Sequence, residues 1–277
     1  MVVAPLFQLY PADARAPTDA PGDISQSALA QLYDFPAISP GSSWLRANMI
    51  STVDGAASGP DGSSSSINNS SDFRVFEMLR ALCDVVVVAA GTVRAEGYVG
   101  IHTPPHLANL RSELELAPHP ALVIVSASGQ VPLQTLAAAK DYPLPFVVTS
   151  ATGARALPSD FPRTQLGLLP ADVSGRLSAP AIMEWVVAQG WSRVQLEGGP
   201  RLLGQFVNAD LVDELCLTIA PHLFPGALTR ITEFSDDPAA SQQLLAARLG
   251  HVLVGGDAST LLTRWLVERS DAQPSCP

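Results

Sequence analysis

Lysine is nearly absent from this sequence. Lys140 is the single lysine among 277 residues, and 16 basic side chains stand against 26 acidic ones, for a formal net charge of −10. Nucleic acids and anionic membranes are bound by basic patches that neutralise phosphates. The charge balance therefore argues against both classes of partner.

A targeting segment and a membrane span are missing as well. No apolar run is as long as a transmembrane helix requires. The N-terminus lacks the basic start and apolar core of a signal peptide. The sequence therefore predicts a cytoplasmic enzyme or binding protein.

Cysteine and histidine form no metal or disulfide pattern. Cys83, Cys216 and Cys276 are too few and too scattered for a disulfide framework or a zinc site. His102 and His106 have helical spacing, but the two prolines between them exclude a helix. We expect no metal.

Three common signatures are also absent. The chain has no Gly-x-Gly-x-x-Gly, no Gly-x-x-x-x-Gly-Lys-Ser/Thr and no Gly-x-Ser-x-Gly. A standard Rossmann fingerprint, a nucleoside triphosphatase and an α/β-hydrolase nucleophile elbow are therefore not supported.

What the sequence does contain is an alternation of apolar runs and helical stretches, with 47% hydrophobic residues overall. The run "DVVVVAA" is apolar on both faces, as a central parallel strand should be. The alternation predicts an α/β sheet with helices on both faces, and the short "GGDA" near the end predicts a hairpin. The predicted strands cover 44–51, 84–90, 121–127, 145–150, 163–169, 193–199, 213–221, 248–256 and 259–268. The predicted helices cover 24–33, 70–82, 180–189 and 201–208.

Glycine-containing turns follow several predicted strands. In "LEGGPRLLGQF", Gly198 and Gly199 let a ligand approach the backbone, and Pro200 starts a helix. This turn predicts an anion-binding site at the N-terminus of that helix. Gly91 and Thr92 follow the most buried strand and suit a second phosphate or ribose contact. A structural turn without a ligand is the alternative for both. Glu197 would repel an anion, so we interpret it as an acceptor for a polar substrate.

With these turns in place, the chain resembles the pyrimidine reductases of riboflavin biosynthesis, whose reductase domain has the fold of dihydrofolate reductase. The resembling segments are "NMISTVDGAAS", "SSSSINNSSDFRVFEMLRALCDVVVVAAGTVRAEGY", "ALVIVSASGQVP", "VQLEGGPRLLGQFVNADLVDELCLTIAPHLFPG" and the last strand pair. The resemblance implies a mixed, mostly parallel sheet that ends in an antiparallel pair. It also implies an N-terminal extension (1–43), a reductase domain (44–269) and a disordered tail (270–277).

The resemblance implies an NADPH-dependent enzyme of the 5-amino-6-(5-phosphoribosylamino)uracil reductase type. Such an enzyme reduces the ring-opened sugar of a phosphoribosylamino-pyrimidine to a ribityl chain. The residues implied to contact NADPH are Ile50, Ser51, Gly91, Thr92, Glu96, Ser126, Gly198, Gly199, Pro200, Arg201, Leu202, Leu203, Gly204 and Gln205.

On the substrate side the resemblance implies contacts from Asn48, Ser64, Arg80 and Glu197. Arg80 is the best local cation for a substrate phosphate, although it could instead offset a helix dipole. Asp54 and Glu197 are the candidate catalytic carboxylates, which hold the pyrimidine or relay a proton. For Asp54, simple turn chemistry in "DG" is the alternative.

The chain also departs from the bifunctional members of that family. It has neither H-x-E nor P-C-x-x-C, so it resembles a stand-alone form without the zinc deaminase. A homodimer through the late strands is implied by resemblance only. Two other functions stay open: a reductase with a pterin-like acceptor, and a nucleotide-binding module without turnover.

The polar segment "DGAASGPDGSSSSIN" lies between the first predicted strand of the domain and the helix at 70–82. We interpret it as a substrate-side loop that can move over bound ligands. Ser70 or Ser71 is predicted to cap the helix that follows.

Overall fold

The fold is built on one β-sheet. The computed structural model describes residues 4–10, 23–133, 142–226, 229–233 and 244–269. Within these ranges ten strands lie in the order β1-β9-β10-β8-β2-β7-β3-β4-β5-β6. The strands are β1 (Leu6–Tyr10), β2 (Trp44–Thr52), β3 (Val85–Ala89), β4 (Ala121–Val125), β5 (Phe146–Thr149), β6 (Leu166–Leu168), β7 (Arg193–Leu196), β8 (Glu214–Ala220), β9 (Ala246–Gly255) and β10 (Leu261–Glu268). The helices are α1 (Gln26–Leu32), α2 (Ser70–Leu82), α3 (Ala90–Ala95), α4 (Ala108–Glu113), α5 (Ala151–Ala154), α6 (Ala179–Ala188) and α7 (Pro200–Asn208).

The sheet is mixed, as predicted. Strands β8, β2, β7, β3, β4, β5 and β6 form a continuous parallel set. Strand β10 pairs antiparallel with both β8 and β9, so the predicted C-terminal hairpin is confirmed. Since parallel strands share one carboxyl edge, the loops after β2, β3 and β7 meet at the same place.

The central strand β3 is buried on both faces, as its apolar sequence indicates. Val86 and Val88 pack into the cluster that contains α1, α2 and α4 residues, whereas Val85 and Val87 pack into the cluster of α6 and α7. This period of two places one hydrophobic layer on each side of the sheet. The predicted helices on both faces are therefore confirmed.

The N-terminal segment contributes to the sheet. Strand β1 pairs antiparallel with β9, with Leu6 opposite Gly255. Leu29 of α1 is buried in the core beside α2. The prediction for α1 is confirmed, and its N-cap is Ser25, whose side chain accepts from the Ala28 amide. The predicted disordered tail lies outside the described residues.

Helix α2 has the predicted bounds but not the predicted cap. Asn69 is in an extended conformation, and its side-chain oxygen accepts hydrogen bonds from the amides of Ser71 and Asp72 at 3.0 and 3.1 Å. The prediction of Ser70 or Ser71 was therefore wrong, because both serines already have helical geometry. In "INNSSD" several consecutive residues are good caps, so local sequence does not choose among them.

Two predicted strands are shorter in the structure. Arg163–Gln165 form a 3-10 turn, so strand β6 begins only at Leu166. Strand β7 ends at Leu196, and Glu197 begins the glycine turn. Both differences are at element ends, where neighbouring turns compete with strand pairing.

Candidate active site

A cavity of about 590 Å³ opens at the carboxyl edge of the parallel strands. Its walls come from the end of β2, the loop after it, helix α2, and the turns that follow β3 and β7. Pockets of this size commonly hold small molecules or cofactors. The site therefore lies at the edge where the sequence predicted ligand loops.

An ion pair forms one wall of the cavity. Arg80, in the last turn of α2, donates from Nε and Nη2 to the two carboxylate oxygens of Glu197 at 2.7 and 2.6 Å. The Glu197 carboxylate also accepts from the Tyr98 hydroxyl at 2.6 Å and from the Gln195 amide at 2.7 Å. Burial by itself would raise the pKa of Glu197, but Arg80 and the two neutral donors outweigh it and hold the pKa below its ordinary value.

The guanidinium of Arg80 is also held by aromatic rings. Its central carbon lies 4.0 Å from the ring centre of Phe76 and 5.2 Å from that of Tyr98. No described residue hydrogen-bonds to Arg80 Nη1, so this nitrogen remains available to a ligand oxygen. The role of Arg80 toward a phosphate, and that of Glu197 toward the substrate, stay predictions. The pair places both side chains in the cavity wall as one unit.

The glycine turn after β7 brings two predicted cofactor loops together. Gly198 has a positive φ of 77°, and Gly199 precedes α7 without a side-chain cap, so the first amides of α7 are left without that partner. A Cβ added at Gly199 would lie 2.7 Å from the Thr92 hydroxyl. Gly199 and Thr92 are therefore neighbours across the cavity, and Pro200 starts the helix as predicted.

The predicted cofactor residues divide into two groups. Those that line the cavity are Ile50, Gly91, Thr92, Glu96, Gly199 and Pro200. Those that do not line it are Ser51, Ser126, Gly198, Arg201, Leu202, Leu203, Gly204 and Gln205.

Most of the second group face the protein. Leu202 and Leu203 pack in the core, and a Cβ on Gly204 would meet the Glu233 carbonyl at 2.1 Å. Arg201 is exposed and pairs with the Glu233 carboxylate at 3.1 Å. Any contact of Leu202, Leu203 or Gly204 with a cofactor in the cavity would have to come from the backbone.

Glu96, a predicted cofactor contact, is hydrogen-bonded to the predicted substrate-side loop. Its carboxylate accepts from the Ser63 hydroxyl at 2.7 Å and from the Ser64 amide at 2.8 Å. Ser64 begins a 3-10 turn and lines the cavity. The polar loop between β2 and α2 is thus hydrogen-bonded to the end of α3.

Asp54 does not line the cavity. Its carboxylate accepts from the Thr52 hydroxyl at 2.5 Å and from the Phe224 amide at 3.1 Å, and the Thr52 hydrogen bond lowers its pKa. The side chain is exposed. This geometry favours the turn-chemistry alternative over proton transfer, which stays an untested prediction.

Sequence reasoning missed one carboxylate that does line the cavity. Asp72, in the first turn of α2, is only 7% exposed, and Thr218 of β8 lies near its carboxylate. Burial raises the pKa of Asp72 to about 6, while Thr218 opposes the rise. The helical spacing of Asp72, Phe76 and Arg80, at i, i+4 and i+8, was the signal that could have found it.

No helix in the described part of the chain is long and apolar enough to cross a membrane. Among the same residues, no group of three or more histidine, cysteine or acidic side chains is arranged to hold a metal ion.

Comparison with known proteins gives one family match. The model of the RibD C-terminal domain matches residues 43–260. Two curated relatives, from Archaeoglobus fulgidus and Methanothermobacter thermautotrophicus, are both named 2,5-diamino-6-ribosylamino-4(3H)-pyrimidinone 5′-phosphate reductase. They are 27% and 25% identical, over 65% of this chain in each case and over 80% and 78% of their own lengths.

Solved structures share the fold. A pyrimidine reductase-like protein from Corynebacterium diphtheriae superposes with a TM-score of 0.69 at 22% identity, covering 82% of this chain and 93% of its own. The riboflavin biosynthesis reductase Rib7 of Saccharomyces cerevisiae gives 0.58 at 14% identity, covering 86% of this chain and 97% of its own. At these identities the likeness extends to the architecture alone.

Proposed function

The chain belongs to the RibD C-terminal domain family, and we propose that it uses NADPH to reduce a ribosylamino-pyrimidine 5′-phosphate to its ribitylamino form. The curated relatives are named for such a reduction. The observation that carries the proposal is the meeting of Thr92 and Gly199 in the wall of the same cavity as the Arg80–Glu197 pair. The proposed cofactor seat and the proposed polar substrate wall thus lie in the same cavity.

The residues present fit a dinucleotide phosphate. The amides that open α7 have no side-chain cap, and the missing Cβ of Gly199 leaves room beside the Thr92 hydroxyl. Uncapped helix amides and a helix dipole both favour an anion. When bound, the reduced nicotinamide supplies the hydride. The chain itself supplies the phosphate seat, the cavity wall and the exclusion of water.

The substrate chemistry requires one hydride and one proton. In the ring-opened sugar, C1′ is doubly bonded to the exocyclic nitrogen; the hydride adds to C1′ and the proton to that nitrogen. Geometry is the main demand of such a transfer, since the reacting carbons must approach to about 3–3.5 Å. Asn48 and Ile50, at the end of β2, line the cavity together with Arg80 and Glu197 and would orient the substrate there.

The neutralised pair explains how a carboxylate can lie next to an anion seat. Arg80 offsets the negative charge of Glu197, and Arg80 Nη1 can still donate to a substrate oxygen. We propose that the pair positions the sugar phosphate or the sugar hydroxyls. On the same family expectation we also propose that the protein is cytoplasmic and forms a homodimer through β8–β10. Light scattering during gel filtration would test the oligomeric state.

A fluorescence titration tests the proposal. Purified protein is titrated with NADPH while nicotinamide emission is followed, and turnover is then measured as NADPH oxidation with the ribosylamino-pyrimidine phosphates and with dihydrofolate. Binding followed by oxidation with a ribosylamino-pyrimidine supports the proposal. Absence of binding overturns it. Oxidation with dihydrofolate alone would favour the pterin-like acceptor, and binding without any turnover would favour a non-catalytic module.

A further inference from the structure

The carboxylate of Glu197 already has a full set of hydrogen-bond donors. Its Oε1 accepts from Arg80 Nε at 2.7 Å and from Gln195 Nε2 at 2.7 Å. Its Oε2 accepts from Arg80 Nη2 at 2.6 Å and from the Tyr98 hydroxyl at 2.6 Å. An ionised carboxylate accepts about four hydrogen bonds, two on each oxygen. The donors of the protein therefore use the whole accepting capacity of Glu197.

The charges around Glu197 keep the shared proton on Tyr98. Burial would raise the pKa of Glu197, but Arg80 and the neutral donors hold it below its ordinary value. Burial also raises the pKa of the Tyr98 hydroxyl well above its ordinary value, and the negative charge of Glu197 adds to this rise. Tyr98 is therefore a neutral donor, and Glu197 is an ionised acceptor.

The end of helix α3 determines where Tyr98 lies. The helix ends at Ala95, and Gly97 follows with a positive φ of 65°. The Tyr98 amide donates to the Val93 carbonyl at 3.1 Å, across the helix end. This is the Schellman arrangement, in which a glycine takes the left-handed position and the next residue turns back onto the helix. The sequence "AEGY" thus places Tyr98 in the cavity wall.

The Tyr98 hydroxyl, unlike Glu197, keeps its own accepting capacity. A phenol oxygen accepts a hydrogen bond as well as donating one. Within the described residues, the hydrogen bond to Glu197 is the only one that this hydroxyl makes. The Tyr98 ring centre lies 5.2 Å from the central carbon of Arg80. The free acceptor of Tyr98 and the free Nη1 donor of Arg80 therefore belong to the same part of the wall.

We propose that Tyr98 is a substrate-binding residue, whose oxygen accepts a hydrogen bond from a hydroxyl of the sugar chain while Arg80 Nη1 donates to an oxygen of that chain. Glu197 is then a positioning residue, which orients Arg80 and Tyr98 without touching the substrate. Its charge polarises the Tyr98 hydroxyl and makes the phenol oxygen a stronger acceptor. This inference rests on the proposed function, and it replaces the substrate contact that the resemblance implied for Glu197.

Removal of one oxygen atom tests the proposal. Tyr98→Phe keeps the ring beside Arg80 and deletes the hydroxyl. The KM for the ribosylamino-pyrimidine phosphate, measured by NADPH oxidation, should rise about fivefold, since one hydrogen bond changes affinity roughly two- to tenfold. The affinity for NADPH, measured by fluorescence titration, should match wild type. If the substrate contacted Glu197 instead, loss of the Tyr98 donor would free an acceptor there, and the KM would stay the same or fall.

Two further variants separate direct contact from support of Glu197. Gln195→Met removes the other neutral donor to Glu197, and Gln195 is fully buried and does not line the cavity. This variant should raise the KM by less than half as much as Tyr98→Phe, because no contact with the substrate is lost. Tyr142→Phe should leave the KM at the wild-type value, since Tyr142 lies against Gly100 in the same loop but outside the cavity wall.

Three results would overturn the role of Tyr98 while leaving the proposed function intact. They are a KM that rises less than about threefold in Tyr98→Phe, a rise at least half as large in Gln195→Met, and an equal loss of NADPH affinity in Tyr98→Phe. The first and third remain decisive if Gln195→Met does not fold. Absence of turnover of the ribosylamino-pyrimidine phosphates by wild type would instead overturn the proposed function, and the inference with it.

Discussion

Arg80 and Glu197 lie 117 positions apart in the chain and meet in two hydrogen bonds of 2.7 and 2.6 Å at the wall of the cavity. The pair joins the last turn of α2 to the residue that follows β7. It connects the helix that carries Asp72 and Phe76 to the turn that opens α7. The proposed substrate wall and the proposed cofactor seat are therefore joined by this pair.

Arg80→Ala is expected to lower both stability and substrate affinity. Glu197 is only 6% exposed, so loss of its cation leaves a buried charge uncompensated. Breaking a buried pair from one side costs roughly 3–5 kcal/mol of unfolding free energy. Urea denaturation measures this loss, and steady-state kinetics should show a raised KM for the pyrimidine.

A double variant separates the two effects. In Arg80→Met with Glu197→Gln neither partner of the pair is charged, so most of the stability should return while the KM stays high. Arg201→Ala is the matched control, because its pair with Glu233 is exposed and surface pairs contribute under about 1 kcal/mol. A wild-type KM in the double variant would remove the pair from substrate binding.

Gly199→Ala is expected to weaken NADPH binding by more than about tenfold. The added Cβ would meet the Thr92 hydroxyl at 2.7 Å and occupy space beside the α7 amides. Fluorescence titration gives the dissociation constant. Gly199→Asp should abolish binding, since it adds a negative charge where a phosphate is proposed.

The control for Gly199 is another helix start. Ser178 caps α6 on a helix that does not line the cavity. Ser178→Ala should cost about 1 kcal/mol of stability and leave the NADPH affinity unchanged. If Gly199→Asp binds NADPH as tightly as wild type, the phosphate seat lies elsewhere.

Local pattern predicted the parts of the fold that local physics determines. The bounds of α2 follow from its amphipathic spacing, and the burial of β3 on both faces follows from an unbroken valine run. The C-terminal hairpin follows from a short glycine turn between two apolar runs. The shared carboxyl edge then follows from the parallel order, which is why the cofactor loops could be predicted together.

Contacts between distant residues could not be predicted in the same way. Arg80 was expected to offer a free cation and Glu197 a free acceptor, because nothing in either segment indicates the other. Asp72 resembled an ordinary first-turn acid of α2, where it complements the helix dipole. Its burial and its proximity to Thr218 of β8 arise from tertiary packing, which the local sequence does not show.

Glu214→Gln is expected to destabilise the protein without altering the reaction. Glu214 is fully buried and pairs with Arg46 and, at 2.7 Å, with Arg264. Both arginines would lose their counter-ion, so unfolding free energy should fall by roughly 3–5 kcal/mol. Glu214 lies opposite Arg46, two positions along β2 from Asn48 at the cavity, or about 7 Å at 3.3 Å per residue.

Kinetics and a surface control test whether the ion pairs of Glu214 are independent of the cavity. The KM for the pyrimidine and the NADPH affinity of folded Glu214→Gln should match wild type. Glu268→Gln, at the exposed end of β10, should change neither stability nor kinetics. A large change in KM for Glu214→Gln would show that the buried cluster is coupled to the cavity.

His251 is expected to make the protein less stable as the pH falls from about 6.5 to 4. Its ring is 3% exposed and packs edge-on against Tyr33 at 4.6 Å, and no described residue hydrogen-bonds to its Nε2. Burial is the main cause that lowers the pKa of His251 to about 4, with Arg264 and Arg46 adding to it and Glu214 opposing. Between these pH values the unfolded chain therefore binds a proton at His251 that the folded chain does not bind. The free energy of unfolding falls toward acid pH by at most about 3 kcal/mol for this reason.

His251→Phe isolates this contribution, because it keeps a ring against Tyr33 and removes the titration. Asp72 and Asp213, whose pKa values burial raises to about 6, act in the opposite direction, since the folded state then holds the extra protons. Both are present in wild type and variant, so they cancel in the difference. Urea denaturation of both proteins from pH 7.5 to 4.5 should show wild type losing stability more steeply than the variant. Parallel pH profiles for the two proteins would mean that His251 is protonated in the folded state as readily as in the unfolded chain.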